Sequence, residues 1–399
     1  SIQAASVTPS AAESSKRHSG ISNRLQSSLE LWTHRCHSRQ PWRITPSRRQ
    51  NWSSDIYGAC VTEAERDVKH DGRGGMDCEG WMMFGLTGLS DPVLVLVGFI
   101  LLLSGGEGVV QGAVQIAYRL RVPPLLVGFT IVAIGTSLPE LAVAIEAIGR
   151  GTPDIAVGGV LGSNVANVML VLGTAALLGS AGDAGVGLRR DSKAVIAATI
   201  ILFIFVRMGE IPYFGGIAML LLLLAYYTYS YLYSRGKRDQ EAEDTWLPDN
   251  ILAAIAATII GGYMIWQGAG LLLEGATGLA LTFGIPDSVV GLTIIALGTS
   301  LPELAVTLIA ALRNQGGVAI GNILGSNVIN ILGILGVASV VGGGIEIASE
   351  FAGRDIWVVI ITSGLVTAML LNDREIGPRV GATMVIGYFA YMVFLYASS

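Results

Sequence analysis

The chain has 399 residues, 52% of them hydrophobic, a mean hydropathy of +0.59 and a formal net charge of −5. Such apolarity excludes an ordinary soluble domain and predicts an all-α polytopic membrane protein. Every cysteine (Cys36, Cys60, Cys78) and every histidine (His18, His34, His37, His70) precedes residue 81. The apolar remainder therefore offers no thiolate or imidazole metal site and no histidine proton relay. An ion handled there is bound by oxygen, which favours hard cations such as Na⁺ and Ca²⁺.

Residues 1–80 are polar, rich in Ser, Arg and Gln, and lack the apolar core of a signal peptide. They are expected to be a disordered N-terminal extension, with upstream sequence before a start near Met76, Met82 or Met83 as one account. His34, Cys36 and His37 lie close together but lack a second pair of ligands at metal spacing.

A bilayer core of ~30 Å needs about 20 apolar helical residues. Ten such runs are predicted at 91–117, 123–149, 154–180, 192–208, 211–234, 250–273, 286–312, 316–341, 356–372 and 379–397. The stretch Arg235–Asn250 is the most charged connection among them. Taking 235–249 as a cytoplasmic linker separates a first five-span unit, 90–234, from a second, 250–399.

Lys and Arg in short connections set orientation. Eleven fall on one side: Arg119, Arg121, Arg189, Arg190, Lys193, Arg235, Lys237, Arg238, Arg313, Arg374 and Arg379. Arg150, Arg207 and Arg354 fall on the other. The first side is predicted cytoplasmic, in a multi-pass protein of the cell (inner) membrane. The basic tail argues the opposite way, which leaves its own side open.

The two units repeat one another at an offset of 163 residues. Gly128–Val143 matches Gly291–Val306 at thirteen of sixteen positions, and both contain GTSLPELAV. The same offset pairs LGSNV at Leu161–Val165 with Leu324–Val328, and Asn167 with Asn330. Because each unit has an odd number of spans, the second enters the membrane the other way up. That predicts ten transmembrane helices as two inverted five-helix repeats, a plan used by secondary transporters that bind at the midplane.

In GTSLPE, Pro139 has no N–H for the carbonyl of Gly135, and the helix should break or kink there. Freed carbonyls are costly in hydrocarbon unless a group inside the protein, or a cation, satisfies them. Thr136 and Ser137 lie four and three residues before Glu140, on one helical face. Gly298, Thr299, Ser300, Pro302 and Glu303 repeat the arrangement. In the following spans Ser163 and Asn167, and again Ser326 and Asn330, are four apart and present neutral oxygens on one face.

Structural and functional readings of these residues differ in force. An intramembrane Ser or Thr often only bonds its own helix, and Gly158 and Gly162 read mainly as packing residues. A mid-span glutamate is expensive and usually functional. Glu140 and Glu303 recur in register, whereas Glu107 and Glu274 have no acidic counterpart in the other unit. Glu107 and Glu274 suggest a supporting or gating role. Glu146 is placed near a helix end.

Two ionised carboxylates balance one Ca²⁺, which prefers six to eight oxygens. Several Na⁺ could use the same cage over subsites. If three Na⁺ replaced one Ca²⁺, one net charge would cross per cycle, and each 100 mV would contribute ~2.3 kcal/mol.

GTSLPE followed by GSNxxN, in two inverted five-span halves, resembles the cation/calcium exchanger superfamily, and most nearly its prokaryotic sodium/calcium antiporters. The resemblance covers residues 90–399. It implies Na⁺ entry driving Ca²⁺ export by alternating access, with the first and sixth helices sliding across the rest. The ion-binding positions it implies are Thr136, Ser137, Glu140, Ser163 and Asn167, then Thr299, Ser300, Glu303, Ser326 and Asn330, with the carbonyls of Ala133 and Ala296. Some members, K⁺-dependent ones included, carry Asp where this chain has Asn330. Asn there lowers the site charge and argues against K⁺ co-transport.

The transported ions are thus expected to be Ca²⁺ and Na⁺, with the lipid bilayer as surroundings. The sequence implies no cofactor and no enzyme activity or nucleic acid, and no protein partner is inferable. A Ca²⁺/H⁺ antiporter of the same superfamily, with both glutamates carrying protons, is the main rival. The neutral Ser, Thr and Asn oxygens favour Na⁺, since protons would not need them. A cation channel would not require an inverted repeat, and a membrane scaffold would leave two buried glutamates unexplained. No Gly-rich phosphate loop points to an ATP-driven pump.

Overall fold

The computed structural model describes residues 90–178, 187–235, 246–248, 250–283, 298–372 and 376–398. The N-terminal extension, most of the linker and Ala296 lie outside the described residues. Helices are α1 (Asp91–Leu120), α2 (Pro124–Thr136), α3 (Leu138–Gly149), α4 (Pro153–Leu177), α5 (Leu188–Met208), α6 (Tyr213–Ser234), α7 (Ile251–Thr282), α8 (Leu301–Leu312), α9 (Gly316–Gly342), α10 (Phe351–Leu371) and α11 (Pro378–Ser398). Seven of them are long and apolar enough to cross a membrane, and the bent pair α2–α3 makes an eighth. α5 begins at Leu188, four residues before the span predicted from hydropathy, and so draws Arg189, Arg190 and Asp191 into its first turn. α8 is a shorter apolar helix, and the residues before Gly298 lie outside the description.

α2 and α3 meet at an angle of 44°. The non-helical residue is Ser137, at φ −88° and ψ 5°, and Ser300 at φ −90° and ψ 2° precedes α8 in the same way. The break therefore falls two residues before each proline. Pro139 and Pro302 occupy a first helical turn, where a missing N–H leaves no intrahelical bond unmade. Each proline marks a helix start rather than a flaw in a continuous helix. A wider π turn follows at Asn167–Leu172 in α4 and at Ile329–Ile334 in α9, and another lies within α2 at Gly128–Val132. Such turns cluster at functional segments because they displace the residues that follow.

Glycine sets the closest approaches. α1 and α7 run antiparallel, and their glycines recur every seven residues at Gly98, Gly105 and Gly112 and at Gly261, Gly268 and Gly275. A Cβ on Gly105 would stand 2.6 Å from the carbonyl oxygen of Gly261, and one on Gly261 would stand 2.6 Å from that of Gly105. Without side chains in the seam the two backbones touch, which is how membrane helices gain packing energy where lipid removes the hydrophobic drive. α9 meets α2 as closely, with Gly321 against Leu125 and Gly325 against Phe129. α9 is buried along nearly its whole length, and Ile320, Ile323, Leu324, Ile331, Ile334 and Leu335 fill the centre.

The outward faces of α6 and α7 expose large apolar side chains such as Leu221, Leu224, Leu232, Ile259 and Ile260. A bilayer solvates such a surface, whereas water does not. The chain is a multi-pass membrane protein. One small departure from an all-helical reading is a two-stranded antiparallel ribbon, β1 (Glu210–Pro212) with β2 (Gly344–Glu346), which joins the ends of α5 and α9. Ser339 Oγ fastens it by sharing its one proton between the carbonyls of Ile211 and Pro212, at 3.0 and 3.1 Å.

Candidate cation site at the helix breaks

The breaks before α3 and α8 place Glu140 and Glu303 in the first turn of their helices. Exposed N–H groups and the helix dipole favour negative charge there. Both glutamates are buried, Glu140 at 7% and Glu303 at 0% exposure. Ser137, from the first motif, donates to Glu303 Oε1, from the second, at 3.3 Å. The two repeated motifs thus meet at one place.

α4 and α9 bring their GSNxxN segments together from opposite directions. Asn167 Nδ2 donates to Asn327 Oδ1 at 3.2 Å. Its repeat counterpart Asn330 donates through Nδ2 to Asn164 Oδ1, also at 3.2 Å, and to Ser163 Oγ at 3.0 Å. The asparagine bonds therefore exchange between positions related by the 163-residue offset. Thr136 Oγ1 lies 3.2 Å from Asn322 Oδ1 and 3.4 Å from Ser326 Oγ.

Ala133, Thr136, Ser137, Ser163, Asn167, Ser300, Ser326 and Asn330 are buried, and Thr299 is half-buried. The Ala133 carbonyl is not left without a partner by the break, because Ser137 N donates to it at 3.1 Å and Thr136 Oγ1 lies 3.4 Å away.

Several buried acceptors make no hydrogen bond within the protein. They are both carboxylate oxygens of Glu140, Oε2 of Glu303, Oγ of Ser300, and the amide oxygens of Asn167 and Asn330. An unpaired buried acceptor is costly. A group of them around two carboxylates has the chemistry of a hard-cation cage: two anionic and several neutral oxygens, with no thiol or imidazole among the described residues.

A crevice reaches this region between α7 and the α2–α3 bend. Gly135, Thr136, Pro139 and Pro302 border it on the site side, and Val109, Thr258 and Trp266 border it on the helix-pair side.

Asn164, Asn327, Asn322 and Thr307 belong to the polar network but are absent from the residues singled out by the repeat. All four are buried to 1% exposure or less. Asn164 and Asn327 stand inside the quoted motif, so the signal was present. Asn322 precedes Ser326 by four residues, and Thr307 follows Glu303 by four, so helical spacing would also have found them.

The remaining acidic residues stand apart. Glu107 pairs with Arg313 through both oxygens at 2.9 Å and accepts from Gln111 Nε2 at 3.0 Å and Trp246 Nε1 at 3.3 Å. Glu146 pairs with exposed Arg150 at the end of α3. Glu274 is exposed on α7. Gly162 has no described atom within 4 Å of an added Cβ, and Gly158 meets only the Phe351 ring at 3.4 Å. Residues 288–292, which correspond to the α2 segment that packs on Gly321 and Gly325, lie outside the description.

The family model described as sodium/calcium exchanger protein matches residues 90–232 and 253–397. CaxA of Alkalimonas amylolytica is 34% identical over 315 residues, covering 77% of this chain and 98% of that protein. The sodium/calcium exchanger MaX1 of Methanosarcina acetivorans is 30% identical, over 76% of this chain and 98% of its own. A solved structure of the sodium-calcium exchanger NCX_Mj superposes with a TM-score of 0.65 at 30% identity, covering 76% of this chain and 98% of the other. With its membrane-embedded carboxylates, paired motifs and family match, the chain belongs to the sodium/calcium exchanger protein family of membrane transporters.

Proposed function

We propose that this chain is a secondary antiporter that exchanges Na⁺ for Ca²⁺ by alternating access across the cell (inner) membrane. The unit is ten spans in two inverted five-span repeats, 90–234 and 250–399, joined by the linker 235–249. Glu140 and Glu303 are the central carboxylates. Thr136, Ser137, Ser163, Asn167, Thr299, Ser300, Ser326 and Asn330, with the carbonyls of Ala133 and Ala296, supply neutral oxygens.

The observation that carries this reading is the bond from Ser137 to Glu303 beside a Glu140 whose carboxylate has no protein partner. It joins the two motifs into one site with one set of unsatisfied oxygens. The family model's two matched segments, each within one proposed repeat, support the division. Ca²⁺ and Na⁺ compete for the same carboxylates, and binding of one excludes the other. Exchange then follows if the protein moves the occupied cage between the two faces.

The test is ⁴⁵Ca²⁺ uptake into proteoliposomes loaded in turn with Na⁺, with K⁺ alone, and with an acid interior without Na⁺. Uptake driven only by internal Na⁺ is expected. Uptake driven by the pH gradient without Na⁺ would overturn Na⁺ coupling in favour of proton exchange. Uptake that needs no counter-ion would indicate a channel.

A further inference from the structure

The repeat makes the two halves of the site look equivalent, but buried polar groups around Thr136 have no counterpart in the other half. In the second half two rows of polar residues run at four-residue spacing: Thr299, Glu303 and Thr307, then Asn322, Ser326 and Asn330. At the 163-residue offset Thr307 corresponds to Ala144 and Asn322 to Gly159. Only one half has the extra amide and hydroxyl. Both are fully buried.

The geometry of Asn322 fixes which way its amide faces. Nδ2 donates to Thr307 Oγ1 at 3.2 Å and to the Glu303 carbonyl oxygen at 3.5 Å. A backbone carbonyl can only accept, so the NH₂ side must face it. The amide oxygen is thereby turned to Thr136, whose hydroxyl donates to it at 3.2 Å. The competing acceptors for that one proton are the Ala133 carbonyl and Ser326 Oγ, each at 3.4 Å, and Ser326 can instead donate its own proton to Thr136. A proton sent to Asn322 leaves the hydroxyl's lone pairs and the second lone pair of Ala133 available to a cation. A proton sent to Ala133 would occupy that lone pair instead.

We propose that Asn322, held by Thr307, is a positioning residue that points the Thr136 hydroxyl proton away from the cage, making Thr136 and Ala133 cation-accepting ligands. This rests on the Na⁺/Ca²⁺ antiporter reading above. Na⁺, with a single charge, depends more on each neutral oxygen than does Ca²⁺, which is held mainly by the two carboxylates. Loss of the amide therefore weakens Na⁺ more than Ca²⁺.

The experiment uses the full chain in proteoliposomes, with Asn322→Leu, Thr307→Val and the conservative Thr307→Ser. The half-saturating Na⁺ concentration for ⁴⁵Ca²⁺ uptake and the KM of Ca²⁺–Ca²⁺ exchange are measured side by side. Na⁺-dependent thermal stabilisation of the purified protein reads Na⁺ binding without transport. Asn322→Leu is expected to raise the Na⁺ requirement about tenfold, the scale of one hydrogen bond at a buried ligand. Thr307→Val raises it about threefold in the same direction, and Thr307→Ser restores the wild-type value. The Ca²⁺ KM stays within about twofold of wild type.

Unchanged Na⁺ dependence in both Asn322→Leu and Thr307→Val would overturn the proposal, as would a parallel loss of Na⁺ and Ca²⁺ affinity. If Asn322→Leu does not fold, the contrast between Thr307→Val and Thr307→Ser decides. A wild-type protein that neither exchanges nor binds Na⁺ sinks the antiporter reading itself. Normal wild-type exchange with indifferent variants sinks only the role of Asn322.

Discussion

Glu303→Gln keeps the size of the side chain and the acceptor for Ser137, so the bond at 3.3 Å survives on the amide oxygen. What it removes is one negative charge at a position with 0% exposure. Taking one partner from a buried ion pair costs about 4 kcal/mol, within the ~3–5 kcal/mol measured for such pairs. For Ca²⁺ that is ~1000-fold in the half-saturating concentration. Na⁺ carries half the charge and therefore loses about half of the Coulomb energy, or ~30-fold. The variant should fold, with Ca²⁺ uptake lost at micromolar Ca²⁺ and partly recovered at millimolar Ca²⁺. Glu140→Gln should behave alike. The assay is Na⁺-driven ⁴⁵Ca²⁺ uptake, with size-exclusion elution as the folding check. Uptake within about twofold of wild type in either folded variant would refute the site, since no arrangement of neutral oxygens replaces that much charge.

Gly105→Ala places a methyl 2.6 Å from the Gly261 carbonyl and should destabilise the α1–α7 pair by about 1–3 kcal/mol. Gly262→Ala on α7, with nothing within 4 Å, is the neutral control, and detergent thermal melts compare the two. Asp191 is fully buried and held by Arg190 Nε at 2.6 Å and by the hydroxyl of Tyr226. Asp191→Asn should cost about 3–5 kcal/mol by leaving the guanidinium without its carboxylate, with only the Ser230 carbonyl and the Ser234 hydroxyl as neutral partners, read as a lower melting temperature. Asn330→Asp replaces an amide that donates to Ser163 and Asn164 with an acceptor. It should change the ion dependence of uptake while expression persists, as a titration of Na⁺ and K⁺ against uptake would show.

Much of the candidate site was legible because charge and hydrogen-bonding groups are conspicuous in an apolar chain. Glu140 and Glu303 stood out at mid-span, and the fixed offset picked out Ser163, Asn167, Ser326 and Asn330. The same criterion hid Asn322 and Thr307. A search for what both halves share discards what only one half has, and these two are opposed by Gly159 and Ala144. Asp191 was hidden for another reason. Beside Arg189, Arg190 and Lys193 it resembles a charged connection, and only its packing beneath Tyr226 shows the helix starting earlier and burying the pair.

By itself the sequence determined what lies within one helix: the apolar lengths, the prolines that start α3 and α8, and the four-residue spacings that set polar groups on one face. These follow from local geometry, since each depends only on residues a few positions apart. Tertiary structure decided what depends on distant segments meeting. It brought Ser137 to Glu303, crossed the asparagines of α4 with those of α9, and pressed the glycines of α1 onto the backbone of α7. It also placed the break at Ser137 and satisfied the Ala133 carbonyl there. Hydrogen bonds and close packing act over a few ångströms. Spacing along the chain cannot therefore reveal which oxygens, more than 150 residues apart, meet at one place.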